Sequence, residues 1–308
     1  MKRFFLLAAL LAFGLPSVAA AQVDRATLTG VVTDKGGAVL PGATVTLTNL
    51  ETNTVAEQPT TATGSFLFVN LIPGRYQIEA SLTGFKKSSQ IVPLEVGQRA
   101  RVDATLEVGA FNEVITVQES TSLLNANDGT LGAVVSHTQV ANLPLAIRNW
   151  DDLLALVPGV QGDRYTEQGG GTSFGRTGGI NVHGARALQN NFLLDGVDNN
   201  SISENVQELT SQVSRPSVDA IQEFKVVTSP YSAEYGRSPG AAVSVSTKSG
   251  TNAIHGTAYE YYRNDALDAN DFFSNRAHSP KPPNDQNQFG GNVGGPLIEN
   301  KAFFFGDY

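Results

Sequence analysis

The chain has 308 residues, a length that allows two or three domains. Its formal charge of −8 argues against nucleic acid as a partner, because nucleic-acid-binding proteins carry basic faces. The absence of cysteine excludes disulfides, thiolate metal sites and a cysteine nucleophile. With 31 glycines and only 16% charged residues, the composition favours short strands joined by tight turns.

The N-terminus has the order of residues found in a secretory signal peptide. Lys2 and Arg3 are basic, residues 4–15 are almost wholly apolar, and Ala19, Ala20 and Ala21 are small. A membrane-spanning helix needs about 20 apolar residues, which is longer than this run. We therefore interpret residues 1–21 as an export signal that is cleaved after Ala21.

Residues 22–108 alternate between apolar and polar side chains in short runs that are separated by turn signals. The clearest alternation extends from Ala100 to Val108, and the clearest turn signal is Asp34-Lys35-Gly36-Gly37. A sheet with one apolar face has to pack that face against a second layer. The pattern therefore predicts a β-sandwich.

The motifs of this segment, in their order and spacing, resemble the carboxypeptidase regulatory-like domain. They are Gly30-Val31-Val32-Thr33-Asp34, Leu40-Pro41-Gly42-Ala43-Thr44-Val45, Thr63-Gly64-Ser65-Phe66, Ile72-Pro73-Gly74-Arg75-Tyr76 and Gly84-Phe85. The resemblance implies a transthyretin-like sandwich, in which no catalytic role is expected. A purely structural module and a ligand-binding module both remain open.

Residues 120–250 mix short helices and strands, which predicts a compact α+β domain. The best helix is predicted over Asn149–Val157, with Asn149 as its N-cap and Pro158-Gly159 as its end. Trp150, Leu153, Leu154 and Val157 form one apolar stripe along it. A short helix is predicted over Ser217–Gln222, and strands are predicted over Ile180–Val182, Phe192–Leu194, Phe224–Val227 and Ala241–Thr247.

This second region resembles the plug domain of TonB-dependent receptors, of the Oar-like subtype that carries a regulatory-like domain in front. The matching motifs are 153–160 (LLALVPGV), 180–184 (INVHG), 192–197 (FLLDGV), 218–226 (VDAIQEFKV), 232–236 (SAEYG) and 240–250. The resemblance implies that this domain closes the pore of an outer-membrane barrel.

Residues 251–308 contain three strand candidates, over Gly256–Arg263, Phe289–Gly295 and Ala302–Tyr308. An ordinary soluble hairpin is the alternative. The aromatic residues among them are candidates for a girdle at the membrane interface, namely Tyr259, Tyr261, Tyr262 and Phe303–Phe305. Receptors of this family use about 22 strands. We therefore expect a mainly β chain with an α+β plug, ending in the first strands of an incomplete transmembrane β-barrel, and we expect it to be a fragment of a longer receptor.

The linker over residues 109–119 contains a β-branched run, Glu113, Val114, Ile115, Thr116 and Val117, that favours an extended strand. The resemblance implies that a segment of this kind, the TonB box, binds the energising protein TonB by strand addition. Because strand addition uses the backbone, its sequence signal is degenerate. The same residues are equally interpreted as the last strand of the sandwich.

No catalytic constellation, metal site or cofactor site is predicted. Gly171-Thr172-Ser173-Phe174-Gly175 matches the serine-hydrolase string, but it lacks the preceding strand and the following helix. Asp195 to Asn200 departs from the calcium-loop pattern and is predicted to be a tight turn. The histidines, which are His137, His183, His255 and His278, lack metal-ligand spacing.

These observations lead to three hypotheses about function. The first is a receptor of the outer membrane for TonB-energised uptake of a scarce solute, such as a siderophore, cobalamin, oligosaccharide or peptide. In this hypothesis the sandwich lies on the periplasmic side, the barrel contacts lipid, and loops 162–179 and 199–212 face outward. The second is a non-transporting surface protein that acts in adhesion, secretion or carbohydrate binding through the sandwich. The third is a secreted hydrolase that uses Ser173.

Overall fold

The computed structural model describes residues 25–109, 114–117, 131–143, 145, 148–162, 180–185, 189–200, 212–229 and 239–308. The predicted signal peptide, the string around Ser173 and most of loops 162–179 and 199–212 lie outside these residues. The described chain is mainly β, as predicted, and consists of a sandwich, a mixed plug and a three-stranded sheet. Of its helices, none has both the length and the apolar character needed to cross a membrane.

Two sheets form the sandwich. The first contains β4, β1 and β7 in that order, with β8 also paired to β1, and the second has the order β3-β2-β5-β6-β9. The strands are β1 (Ala26–Asp34), β2 (Thr44–Asn49), β3 (Val55–Pro59), β4 (Ser65–Leu71), β5 (Gly74–Ser81), β6 (Lys87–Leu94), β7 (Arg99–Arg101), β8 (Ala104–Leu106) and β9 (Val114–Val117).

The predicted alternation places one face of each sheet in the core of the sandwich. In β2 the side chains of Val45 and Leu47 are buried, whereas the threonines between them are partly exposed. Leu28 and Val32 of β1 face them from the other sheet within the same core. The sandwich therefore has a continuous apolar interior of its own.

The plug consists of a five-stranded sheet in the order β10-β15-β16-β13-β14 and a β11–β12 hairpin. Its strands are β10 (Gly132–Val135), β11 (Val160–Gly162), β12 (Ile180–Val182), β13 (Asn191–Leu194), β14 (Val197–Asp198), β15 (Ile221–Val227) and β16 (Ala242–Thr247). Its helices are α1 (His137–Asn142) and two 3₁₀ helices, Trp150–Leu156 and Val218–Ala220. Trp150, Leu154, Phe192 and Phe224 lie in one buried core.

The helix predicted over Asn149–Val157 forms, but as a 3₁₀ helix rather than an α-helix. Its bonds span three residues, from the amide of Asp152 to the carbonyl of Asn149 and from Val157 to Leu154. A run this short before Pro158-Gly159 favours such tighter bonds. Asn149 is the N-cap residue, as predicted, but its side chain makes no capping hydrogen bond. The apolar stripe is confirmed, since all four of its members are buried.

The third unit is an antiparallel sheet of three strands in the order β17-β18-β19. The strands are longer than predicted at β18, with bounds β17 (His255–Asn264), β18 (Asp285–Ile298) and β19 (Ala302–Asp307). A 3₁₀ helix (Asp265–Leu267) and α2 (Phe272–Arg276) lie in the connection between β17 and β18, and Pro280 to Pro283 form part of the same loop, as predicted.

Candidate functional site at the contact of the plug with the three-stranded sheet

The three-stranded sheet has one polar and one apolar face, and its polar face contacts the plug. In an antiparallel pair, opposed residues point to the same face. The pairs Thr257–Asn292 and Asn292–Asp307 therefore place their side chains on the plug side. The opposite face carries the large, exposed apolar side chains of Tyr262, Phe289, Val293, Leu297 and Phe304, together with the polar Glu260 and Asn287. An apolar outer face and a polar inner face are typical of a membrane barrel wall.

The predicted aromatic girdle is wrong for Tyr259 and Tyr261. The register pairs Tyr261 with Gln288 and Tyr259 with Gly290, on the same face as Thr257. Both rings lie close to the guanidinium of Arg148, which belongs to the plug. Because side chains alternate with a period of two, Tyr262 lies on the outer face. Phe303 and Phe305 share the plug-side face of Asp307, so the girdle prediction is wrong for them as well, and Phe304 remains on the outer face.

Arg148 is the centre of the contact between the plug and this wall. Its Nη2 atom lies 2.6 Å from Oδ2 of Asp219, and both side chains are largely buried. The guanidinium also stacks on Tyr261, with 3.8 Å between its carbon and the ring centroid, and lies 5.6 Å from the ring of Tyr259. The backbone of Arg148 is left-handed, with a φ of 54°, which is uncommon outside glycine.

Two further hydrogen bonds join the plug to the wall next to this ion pair. The side-chain amide of Asn292 donates to the carbonyl of Asp219 at 3.2 Å and to Oγ1 of Thr257 at 2.8 Å. The hydroxyl of Ser217 donates to Oδ1 of Asp307 at 3.1 Å. The 3₁₀ turn at Val218–Ala220 is thus fixed to β18 and β19 at the point where β15 begins.

We expect the substitution Arg148→Met to loosen the plug from the wall. It leaves the Asp219 carboxylate partly buried without its charged partner, and a loss of about 1–3 kcal/mol follows for the contact. The measurement is proteolysis of the plug in outer-membrane vesicles, which should accelerate relative to the parent protein. Arg263→Met is the matched control, because the ion pair of Arg263 with Asp268 is exposed. Equal proteolysis of both variants would contradict the assigned role of Arg148.

The chain passes from the plug to the three-stranded sheet at Gly250, where its backbone lies very close to the backbones of β18 and β19. A Cβ atom at this position would lie 2.3 Å from the carbonyl oxygen of Phe304 and 2.6 Å from that of Gly295. Neither atom belongs to a flexible side chain. Glycine is therefore required for the chain to pass β18 and β19 before β17 begins.

A group of half-buried ionisable side chains lies behind this passage. Burial lowers the pKa of Lys248, while the carboxylates of Asp219 and Asp307 oppose that shift. Burial, with a smaller effect of Lys248, also lowers the pKa of His137. Lys248 and His137 line a cleft of about 670 Å³ that also contains Leu50 and Ile72 of the sandwich and His255 of β17. All three units of the chain meet at this cleft.

The turn predicted at Asp195–Asn200 is confirmed in its first part. Asp195 and Gly196 both have positive φ angles, of 49° and 77°, as the central residues of a two-residue hairpin between β13 and β14. The Asp195 carboxylate accepts hydrogen bonds from the amide and the hydroxyl of Thr247, each at 2.8 Å. The Asp195 carboxylate thus joins the hairpin to the end of β16.

The candidate TonB-contacting strand is extended in its described part. Val114–Val117 form β9, which pairs in parallel with Lys87–Gln90 of β6. Glu113 lies outside the described residues. β9 is the terminal strand of its sheet, so within the described chain only one of its backbone edges is paired. This placement is that of a last strand of the sandwich, which was the alternative interpretation. It is also compatible with the addition of a TonB strand at the other edge of β9.

Of the four histidines, His137 and His255 line the same cleft, whereas the cleft does not include His183 or His278. His137 lies at the start of α1, and His183 lies beside Gly159 in the β11–β12 hairpin. His255 begins β17, and His278 follows α2. Among the described residues, no group of three or more histidine, aspartate or glutamate residues has the arrangement of a metal site.

Three protein-family models match the chain. A carboxypeptidase regulatory-like domain matches residues 27–107, a TonB-dependent receptor plug domain matches residues 130–243, and an outer membrane beta barrel domain matches residues 246–308. The chain is therefore a homologue of the TonB-dependent transporters over the part of them that it spans, with a plug domain seated against part of an outer membrane beta barrel domain.

Similar proteins of this family are known from several bacteria. The TonB-dependent transporter Oar of Myxococcus xanthus is 25% identical over 312 residues, which cover 96% of this chain and 28% of that protein. The siderophore receptor PirA of Acinetobacter baumannii is 25% identical with a TM-score of 0.39, covering 55% of this chain and 23% of that one. The ferric enterobactin receptor PfeA of Pseudomonas aeruginosa is 18% identical with a TM-score of 0.39, covering 56% and 23%. The chain thus spans about a quarter of the length of these relatives.

Proposed function

We propose that this chain carries the gate of a receptor that takes up a scarce solute with energy from TonB. The proposal rests on the contact between the plug and the three-stranded sheet. There Arg148, Ser217 and Asp219 of the plug contact the polar face of β17–β19. A plug held by a few polar contacts closes a pore and is released when those contacts are broken.

The energy has to come from outside the membrane that holds the receptor. Concentrating a solute tenfold costs about 1.4 kcal/mol, and a porous outer membrane maintains no ion gradient to supply this. TonB, an energised protein of the inner membrane, is therefore the proposed partner. In this arrangement the sandwich lies on the periplasmic side, and the apolar outer face of β17–β19 contacts lipid.

The proposed attachment point of TonB is the strand over 113–117. Strand addition needs an extended segment with an available backbone edge, and the β9 part of this segment is extended with β6 on one side. Proline has no amide donor and is therefore poorly accepted in a strand that must pair. Because β9 is terminal, the substitution Ile115→Pro leaves the pairing among β3, β2, β5 and β6 in place.

We expect Ile115→Pro to reduce solute uptake by the full-length receptor to the level of cells that lack TonB. Ile115→Val is the control, since it keeps both the amide and the β-branched side chain, and its uptake should equal that of the parent protein. The assay measures saturable uptake of siderophores, cobalamin, oligosaccharides and peptides. Uptake that is indifferent to the loss of TonB would contradict the proposed function, and uptake that survives Ile115→Pro but not the loss of TonB would move the attachment point elsewhere.

A further inference from the structure

The turn between β6 and β7 of the sandwich is buried at its tip. Val96 has no exposed surface, and Gln98 is 5% exposed, although tips of tight turns normally face water. Val96 is nevertheless absent from the two hydrophobic cores of the described chain. Its burial therefore comes from an interface rather than from the interior of the sandwich.

The partner of this turn is strand β15 of the plug. Its Phe224 points into the plug core, so Glu223 and Lys225 point to the opposite face. The amide of Val96 donates a hydrogen bond to Oε1 of Glu223. In return, the ammonium of Lys225 donates to the carbonyl of Gly97 at 3.0 Å. The bond of Lys225 has a charged donor, which makes it stronger than a neutral hydrogen bond.

The burial of the Lys225 side chain shows that this contact is tight. Lys225 is only 6% exposed, and lysine is seldom buried to this extent unless its ammonium is held by a partner. Glu223 and Lys225 lie two residues apart on one strand, matched to Val96 and Gly97, which are neighbours on the turn. Glu223 and Lys225 thus bind the amide of Val96 and the carbonyl of Gly97 in the same turn.

A second contact joins the sandwich to the passage between the plug and the barrel wall. The amide of Asn252 donates to the carbonyl of Glu51 at 3.1 Å. Glu51 follows β2 in the turn towards β3, and Asn252 lies between β16 and β17. The sandwich therefore holds the plug at β15 and at the segment through which the plug continues into the wall.

We propose that the sandwich is a clamp on the plug, which grips β15 through residues 95–98 and the plug–wall passage through Glu51. This inference goes beyond energised uptake and does not rest on it. A force that moves β15 relative to the sandwich has to break the bonds of Glu223 and Lys225 first. The clamp therefore keeps the plug docked against β17–β19 until the bonds between the sandwich and the plug break.

The test measures the distance between sandwich and plug in the full-length protein in outer-membrane vesicles. Because the chain has no cysteine, spin labels are placed without background through Glu57→Cys on β3 and Ala141→Cys on α1, both exposed. Below about pH 6, pulsed EPR should give one narrow distance in this labelled parent. The double variant Glu223→Ala, Lys225→Met removes both side-chain partners of the turn, so it should lose the narrow distance and show a broad distribution. The matched control Glu299→Ala, Lys301→Met, on an exposed turn, should keep the narrow distance.

A second variant, in the sandwich, distinguishes loss of the clamp from misfolding of the altered plug. Val96→Asp leaves Glu223 and Lys225 unchanged and places a carboxylate against Glu223, so it should broaden the distance in the same way. A broad distance in the parent, or a narrow distance in both clamp variants, would overturn the proposal. The result is independent of transport, so a receptor that takes up nothing can still show the clamp.

Discussion

Replacing Trp150 by alanine should lower the free energy of opening of the plug by about 3–5 kcal/mol. The indole is 1% exposed and lies at the centre of the plug core. Its ring centroid is 5.3 Å from that of Phe224 and 6.4 Å from that of Phe192, in tilted and edge-on arrangements. Alanine leaves a cavity between β13 and β15, the strands that carry these two rings.

The control for this prediction is Trp150→Phe. The buried indole nitrogen has no hydrogen-bond partner among the described residues, so phenylalanine removes no hydrogen bond seen there and keeps most of the aromatic contact. We expect a clearly smaller loss than with alanine. Hydrogen exchange of β13 and β15 amides in the full-length receptor gives the free energy of opening. Equal exchange in the alanine variant and the parent would show that Trp150 is not central to the plug core.

The grip of the sandwich on the plug should weaken as the pH rises through neutrality. Burial, with a smaller effect of the nearby Glu95, raises the pKa of Glu223 from 4.5 to about 7, and the hydrogen bond from the Val96 amide opposes the shift. When the sandwich separates, water reaches the carboxyl and its pKa returns towards the ordinary value. The docked state therefore binds the proton more tightly. Its added stability is complete below about pH 4.5 and disappears as the pH rises through about 7.

The size of this effect follows from the interval between the two pKa values. At about 1.4 kcal/mol per unit, the interval from 4.5 to about 7 corresponds to about 3 kcal/mol of docking free energy. The label pair at Glu57→Cys and Ala141→Cys should lose its narrow distance between about pH 6 and about pH 8. Glu223→Gln cannot titrate, so its distance distribution should be independent of pH over this range. A parent distribution that does not change with pH would contradict the docked position of the Glu223 carboxyl.

The sandwich could be predicted from the sequence because its strands obey a local rule. Val45 and Leu47 face inward and their threonine neighbours outward, which a period of two alone requires. Four of the plug strands, β12, β13, β15 and β16, were predicted for a different reason, whereas β10, β11 and β14 were missed. The short motifs of the plug, such as the Asp195-Gly196 turn, require a particular backbone geometry that few residues tolerate.

The contacts between units could not be predicted, because they depend on distant residues that share no pattern. Nothing in the sequence near Arg148 indicates that its guanidinium stacks on Tyr261 of a later strand. Glu223 and Lys225 look like an ordinary exposed charge pair until the turn at Val96 covers them. The sequence nevertheless contains two indications of these contacts. Charged residues lie on the strand that also carries the buried Phe224, and the odd-numbered tyrosines of β17 alternate with residues of its outer face.

The most direct test of the seated plug is a disulfide between the plug and the barrel wall. Ser217 and Asp307 are in hydrogen-bond contact at 3.1 Å, and the chain has no other cysteine to interfere. In the full-length protein in membranes, Ser217→Cys with Asp307→Cys should oxidise and become protected from maleimide. Ser217→Cys with Lys301→Cys is the control, because Lys301, in the turn before β19, lies about 20 Å from position 307 at ~3.3 Å per residue. Free thiols at 217 and 307 under oxidising conditions would show that this domain is not seated against β19.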